Sequence, residues 1–556
     1  MRGKTGEKYD RIKNMGGGKR TQTDHDIRWA ATGVFLLVVL LGAWNTDDGY
    51  FGFVMARNLA EGHGFVYNIG ERVNVSTCPL FDLILSVFYY WFRNMPLVSI
   101  VLCTLYSLAA YSILIWKICK QRWQVFVVTV LLCTSICFIS FTTSGLENSL
   151  LFFEEALFLH LLVTNDTYDR KKLFQMALVC SAVLMTRMDA GILLFAVTAY
   201  CFLVKRSCGI CSMFLAGLAG LCPFFGWIVF SVIYYGVPFP NTYYIKVNTG
   251  YPLDEYILHG LEYFLISWGY DTALITFCLL AVVLLFLHGQ WKYRMLALGI
   301  CLKLLYVIRI GGDFMVGRHF TDLYFVSVFM VIDLCYEKES FHIGKRIVSR
   351  QYACIGCAAV CVMLTSVTRL TVKQYLWPVR QDSCTDERDY YFPTLGMIPH
   401  YLTKVVKGID SSELTWDAQE VLDSKASGNQ GDLLTWAPGL LSFQHNRDFY
   451  MSDSIGLGDP LLAKLPAVYT EVWRVGHMKR LIPEGYPQSL QTGENRIADK
   501  SLHQYYDILL EVTRGRIFSK DRLYKTAGML FGKYDYLLDE YQNHLEQKTE
   551  EVINGG

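Results

Sequence analysis

LFDLILSVFYYWF, residues 80–92, decides how the rest of the chain is threaded. The run is apolar, yet it is only 13 residues long and contains Asp82, whereas a helix needs about 20 apolar residues to cross a hydrocarbon core. Read as a helix lying along the outer membrane surface, it leaves eleven spans: 29–44, 97–116, 123–142, 147–164, 172–186, 189–204, 210–234, 271–288, 294–309, 319–335 and 351–368. On this threading one side collects Lys117, Lys120 and Arg122, then Arg170, Lys171 and Lys172, then Lys205 and Arg206, then Lys292 and Arg294, then Lys338, Lys345, Arg346 and Arg350. Short loops rich in Lys and Arg stay cytoplasmic. Counting 80–92 as a span would put every one of these loops outside.

The rest of the sequence agrees with a polytopic α-helical membrane protein. Hydrophobic residues make up 53% of the 556 and charged residues 18%, which is not a soluble composition. The first 28 residues hold eight Lys or Arg, among them Lys19, Arg20 and Arg28, so 1–28 reads as a cytoplasmic basic N-terminus. No small-residue cleavage site follows span 29–44, because Asn45, Thr46, Asp47 and Asp48 come next. A net charge of +1 without a basic face gives no case for nucleic acid. Seventeen cysteines lie almost wholly in apolar segments and read as small helix residues. Cys354, Cys357 and Cys361, and Cys208 with Cys211, have metal-like spacing but no His nearby. Residues 369–556 carry turn signals such as Ala437-Pro438-Gly439 and Pro483-Glu484-Gly485, and read as a folded outer domain of mixed α/β type. Within it, Asp499 to Gly515 reads as an amphipathic helix.

Ionisable groups at membrane depth are costly and mark function. On this threading they gather at the outer ends of the spans: Asp47 and Asp48, Glu147 in TSGLEN, Arg187 and Asp189 in TRMDAG, Lys246, Arg309, and Asp313, Arg318 and His319 in GGDFMVGRH. Charges at helix ends suit a surface-facing active site better than a midplane transport path. Asp47 and Asp48 repel each other, so one must be protonated, paired with a cation, or bound to a divalent metal ion. Such a carboxylate can deprotonate a hydroxyl as it attacks an anomeric carbon, and cations can stabilise a departing phosphate. Lys246, Arg318 and His319 are the candidates for that clamp, with Arg309 and Arg187 behind them. Tyr234, Tyr235, Tyr243 and Tyr244 suit stacking on a sugar or an interfacial aromatic belt.

The stretch NTDDGYFGFVMARNLAEGHGFVYNIGERVNVSTCPLF, 45–81, resembles the first outer loop of the terminal β-(1→2)-arabinofuranosyltransferase family of the glycosyltransferase C superfamily. TSGLEN (143–148), TRMDAG (186–191), YYGVPFPNTYYIKV (234–247), GGDFMVGRHF (311–320), DSIGLGDPLLAKLP (453–466) and RVGHMKRLIPEGYPQSLQTGEN (474–495) resemble that family in the same order. The resemblance implies a polyprenyl-phosphate sugar donor, an envelope glycan acceptor, and residence in a bacterial inner membrane with the C-terminal domain outside. It also implies catalysis at Asp47 and Asp48, with Asp47 the preferred base or metal ligand. Glu147, Asn241, Tyr244, Lys246, Asp313, Arg318 and His319 are then expected at the donor. Trp436, Arg474 and His477, in a turn-rich segment near Trp473, are expected at the acceptor. Departures at Met188, Cys78 and Phe81 bear on which sugar is moved, arabinose being one option. A transporter or flippase of lipid-linked glycans and a non-catalytic assembly protein are the alternatives.

Overall fold

The computed structural model describes residues 21–337, 340–343, 346–375, 384–407, 432–435, 438–447 and 450–554. The chain is predominantly helical, and the eleven apolar runs fall on helices, one of them on two. Among the described residues, three helices are long and apolar enough to cross a membrane: Met95–Ile118, Ile210–Tyr235 and Arg318–Tyr336. A fourth is obtained if Leu253–Tyr270 and Thr272–His288, bent by 109°, count together.

The stretch that opened the sequence reading is a separate helix, Pro79–Phe92, with Pro79 in its first turn and Arg93 in a left-handed stop. It packs on a second short helix, Gly49–Ala60. Asp82 is buried between them and accepts hydrogen bonds from the Ser76 hydroxyl and, more weakly, from the Cys78 thiol. Burial pushes its carboxyl up to about 7. Gly52 is required opposite, since a Cβ there would lie 2.3 Å from Asp82 Oδ1. Val87, Phe88, Tyr90, Trp91 and Phe92 face outward from the same helix.

Two helices depart from the sequence reading. Leu253–Tyr270 falls where no span was expected. The run 123–142 is broken at Ser135 into Arg122–Thr134 and Ile136–Ser140. One residue accounts for the break: the Asp271 carboxylate accepts from Ser135 Oγ at 2.7 Å and from the Cys137 amide at 3.1 Å, while also capping Thr272–His288 through Leu274 N. At the basic end, Arg28 is buried and donates to the carbonyls of Ile115 and Cys119, satisfying acceptors at the end of the neighbouring span.

The C-terminal region is mostly helical among the described residues, with one parallel strand pair, Asp432–Thr435 against Tyr450–Asp453. Lys500–Arg514 forms where amphipathicity placed it, with Asp499 as N-cap and Gly515 at its end. Part of this region closes on a core of its own, with Leu462, Tyr486, Leu502, Tyr506 and Leu537 packed together. The rest shares its packing with the segment after the first helix. Leu395 and Leu440 pack with Trp44, Tyr50, Phe53 and Phe81, and Leu441 and Met451 pack with Val54, Phe65 and Val75.

Candidate active site

The loop carrying Asp47 and Asp48 is positioned from below by TSGLEN. Thr46 N donates to Ser144 O at 2.8 Å, and Gly145, at φ 81°, sits so close that a Cβ would lie 2.8 Å from Asn45 Oδ1. From above it is held by the helix Pro438–His445. The Asp47 carboxylate accepts from the Leu440 amide at 2.7 Å, placing a negative charge at that helix's N-terminus. Gly439 packs so tightly that a Cβ would come within 2.1 Å of Asp47 O and 2.7 Å of its Oδ2. Asp47 is therefore a buried, fixed carboxylate.

Asp48 is less enclosed and borders a cavity of ≈ 1230 Å³. Asp47, Glu387, Trp473, Arg474 and His477 line the same cavity, and the His477 ring lies against Phe314 at 4.3 Å. Burial raises the Asp48 carboxyl to about 6, with Asp313 and Glu147 adding to the rise and Arg318 and Lys246 opposing it. Glu387 is pushed to about 8 by burial and by the facing Asp48 and Asp47 carboxylates. His477 is held down at about 4, by burial and then by the neighbouring Arg474 charge. At neutral pH the cavity holds a carboxylate at Asp48, a protonated Glu387 and a neutral His477.

Behind Asp48 runs a chain of buried ion pairs. Arg318 reaches Glu147 at 3.1 Å and Asp313 at 3.6 Å. Arg187 reaches Glu147 at 3.6 Å and Asp189 at 3.1 Å, and Lys303 closes on Asp189 as well. Arg187 Nη2 lies 2.8 Å from His319 Nδ1, which makes that nitrogen the acceptor and turns the Nε2 proton toward Asp313, 3.5 Å away. Burial works against the Asp313 carboxylate, but Arg318, His319 and Lys246 outweigh it and hold it below its usual range. Gly311 and Gly312, at φ 84° and 76°, make the turn that delivers Asp313; a Cβ on Gly312 would lie 2.3 Å from the Tyr263 ring.

The sequence-derived residues therefore divide. Asp47, Asp48, Arg474 and His477 line one cavity. Glu147, Asp313, Arg318 and His319 stand behind it, and Lys246 is near enough to act on the Asp48 and Asp313 charges. Asn241 and Tyr244 do not line the cavity. Asn241 Nδ2 reaches the carbonyls of Gly456, Leu457 and Asp459 at 3.1 to 3.4 Å, and Tyr244 carries Lys464 over its ring at 3.7 Å. Asn241 fastens the 234–247 segment to the DSIGLGDP loop, and Tyr244 to the short helix just after it; the loop is itself wound around Asp453, whose carboxylate accepts from the amides of Ile455, Gly456, Leu457 and Gly458. Asn241→Ala is accordingly expected to lower the melting temperature by about 1–2 °C, about 1–2 kcal/mol for lost buried hydrogen bonds, whether or not a ligand is present. Arg309 and the Tyr234 and Tyr235 rings also stand away from the cavity lining. Trp436 lies outside the described residues. No group of three or more His, Cys, Asp or Glu among the described residues has the arrangement of a metal site, and none of their cysteines is in a disulfide.

Glu387, Thr385 and Tyr391 line the cavity and were not anticipated. In sequence, Asp386-Glu387-Arg388-Asp389 looks like a solvated charge run. Comparison with family models, curated proteins and solved structures returned no match.

Proposed function

We propose that this chain is a membrane glycosyltransferase that moves a sugar from a polyprenyl-phosphate donor to an envelope glycan acceptor. In this reading about eleven helices are embedded in a bacterial inner membrane, the N-terminus is cytoplasmic, and the C-terminal mixed α/β region closes over the outer face. The observation that carries it is the cavity of ≈ 1230 Å³ lined by Asp48, Glu387, Trp473, Arg474 and His477 together. The cavity is large enough for a sugar donor and an acceptor together. Its chemistry also separates a base from cations.

The base in this reading is Asp48. Asp47 has a carboxylate oxygen committed to the Leu440 amide, whereas the Asp48 carboxyl, at about 6, is matched to taking a proton near neutral pH. The acceptor hydroxyl gives its proton to Asp48 as its oxygen bonds to the anomeric carbon. The bond from that carbon to the phosphate oxygen breaks, and the electron pair leaves with the phosphate. Lys246 and Arg318 stabilise the charge that gathers there. Trp473 offers an aromatic edge to the sugar or acceptor, held in place by the His259 ring stacked at 4.4 Å. Asp47 positions the loop. The sugar is arabinofuranose or another pentose or hexose on the same carrier.

The test is transfer by the purified full chain in detergent or nanodiscs, using a labelled polyprenyl-phosphate sugar and an envelope glycan fragment. Labelled glycoside should accumulate in step with released polyprenyl phosphate. Movement of intact lipid-linked glycan across a vesicle membrane with no transfer from any lipid-linked donor would replace this reading with a flippase.

A further inference from the structure

The helix Met397–Lys407, MIPHYLTKVVK, leaves an apolar stripe uncovered. Ile398, Leu402 and Val405, spaced along it, point outward, and Val405 is 81% exposed. The half-buried His400 and the exposed Tyr401 and Lys404 border a cavity of ≈ 270 Å³ beneath the helix. In water an isolated amphipathic helix would turn its apolar stripe inward. The helix begins against the outer end of the first apolar helix, where Met397 N donates to Ala43 O at 2.8 Å. Its apolar stripe joins other apolar side chains exposed nearby: Leu37 and Leu41 of that first helix, and Leu97, Val101 and Leu105 of Met95–Ser112.

The cavity beneath it is separate from the one at Asp48, with no lining residue in common. Its lining brings together His400, Lys404, Asn45, Asn94, Gln444 and Tyr50, with no carboxylate among the described lining residues. Asn94 caps Met95–Ser112 by accepting from Leu97 N at 3.1 Å, so the positive end of an 18-residue helix borders the same space. Apolar residues, Leu97, Ile100 and Leu395 among them, complete the walls. A donor-rich hollow that holds a lysine, lined by two helices that carry exposed apolar side chains, fits an anionic headgroup at the end of acyl chains.

We propose that Met397–Lys407 is seated in the leaflet on the Asp47 side, and that the cavity beneath it binds the phosphate headgroup of a membrane phospholipid. Ile398, Leu402 and Val405 then sit among the acyl chains, and Lys404 with His400 holds the phosphate. The cavity backs onto Asp47, since Asn45 and Leu440 form part of its wall and Leu440 N holds the Asp47 carboxylate. Lipid in the cavity would brace the loop that carries the proposed base. The inference rests on the chain spanning a membrane and not on sugar transfer, so an enzyme inactive in every transfer assay leaves it standing.

The experiment uses the full chain in nanodiscs of mixed phosphatidylcholine and phosphatidylglycerol. A nitroxide on Val405→Cys should be accessible to dissolved oxygen and shielded from a water-soluble nickel chelate, unlike a nitroxide on Phe531→Cys, which is 87% exposed on the C-terminal helices. Native mass spectrometry should find phosphatidylglycerol retained by the wild type. His400→Gln/Lys404→Gln should retain about tenfold less, as expected when charge-assisted contacts to a phosphate are removed. Equal nickel accessibility at the two labelled sites would overturn the seating even if the double variant fails to fold. Inorganic phosphate binding the delipidated protein as tightly as phosphatidylglycerol, or polyprenyl phosphate retained in its place, would overturn the phospholipid assignment.

Discussion

Asp48→Asn should lower sugar transfer by about a thousandfold, the usual effect of losing a positioned general base, without lowering the stability of the protein. Asn keeps the shape of the side chain but cannot take the proton. In an unfolded chain this carboxyl titrates near 3.8, and in the folded site near 6. The folded state therefore holds the proton more tightly. The contribution of Asp48 to stability is most favourable below about pH 4 and is lost as the pH rises through 6. At pH 7 the wild type carries a partly desolvated charge that Asn lacks, so the variant should be about 1–2 kcal/mol more stable after allowance for water in the cavity. Melting curves at pH 5 and pH 7 check this, because the advantage of the variant should shrink at the lower pH. Transfer by the wild type should fall on the acid side with an apparent pKa of about 6. Asp47→Asn makes the contrast. Its amide oxygen can still accept from Leu440 N, so transfer should drop less than in Asp48→Asn. A larger loss in Asp47→Asn than in Asp48→Asn would return the base to Asp47.

Apolar runs made most of the helices legible in the sequence, and chemistry between distant residues did not follow from them. The 80–92 stretch could be read because its length and Asp82 set it apart from the spans, and Lys500–Arg514 because Asp499 and Gly515 bracket an amphipathic run. Leu253–Tyr270 was missed because Asp254, Glu255, His259 and Glu262 interrupt its apolar pattern. In the fold His259 spends that polarity inside the protein, on Gly311 O at 2.8 Å and against Trp473. The break at Ser135 was invisible for a different reason: its cause, Asp271, lies 136 residues away. Asn241 and Tyr244 show the opposite limit. An Asn and a Tyr in an outer loop carry the groups that bind sugars, and those same groups serve equally to fasten one loop to another. Glu387 became a site residue only when the chain returned to lay the segment beginning at Cys384 across Asp47 and Asp48.

Arg187→Met should destabilise the protein by about 3–5 kcal/mol, the cost of leaving buried carboxylates without a counter-charge. The guanidinium is 8% exposed and joins Glu147, Asp189 and His319, so its removal strips one cation from a group in which acids and bases are nearly matched. Lys303 remains on Asp189 and Arg318 on Glu147, but each then serves alone where two cations served before. The methionine fills most of the space, so the loss measures charge rather than volume. Asp189→Asn added to Arg187→Met should recover part of the stability by removing the stranded charge, a non-additivity expected of groups in one network. Arg447→Met is the control. Its pair with Glu61 is more than half exposed on the arginine side, and an exposed ion pair contributes about 0–1 kcal/mol. Thermal denaturation in nanodiscs should therefore separate the two single variants by about 2–5 °C, taking about 1 °C per kcal/mol for a chain of this size. Because His319 and Arg318 are oriented by the same network, the Arg187 variant should also move the acid limb of any transfer activity away from pH 6, whereas Arg447→Met should leave it in place. Similar melting temperatures for the two variants would mean that the chain of ion pairs behind Asp48 is solvated, and that the charges there do not set the properties of the site.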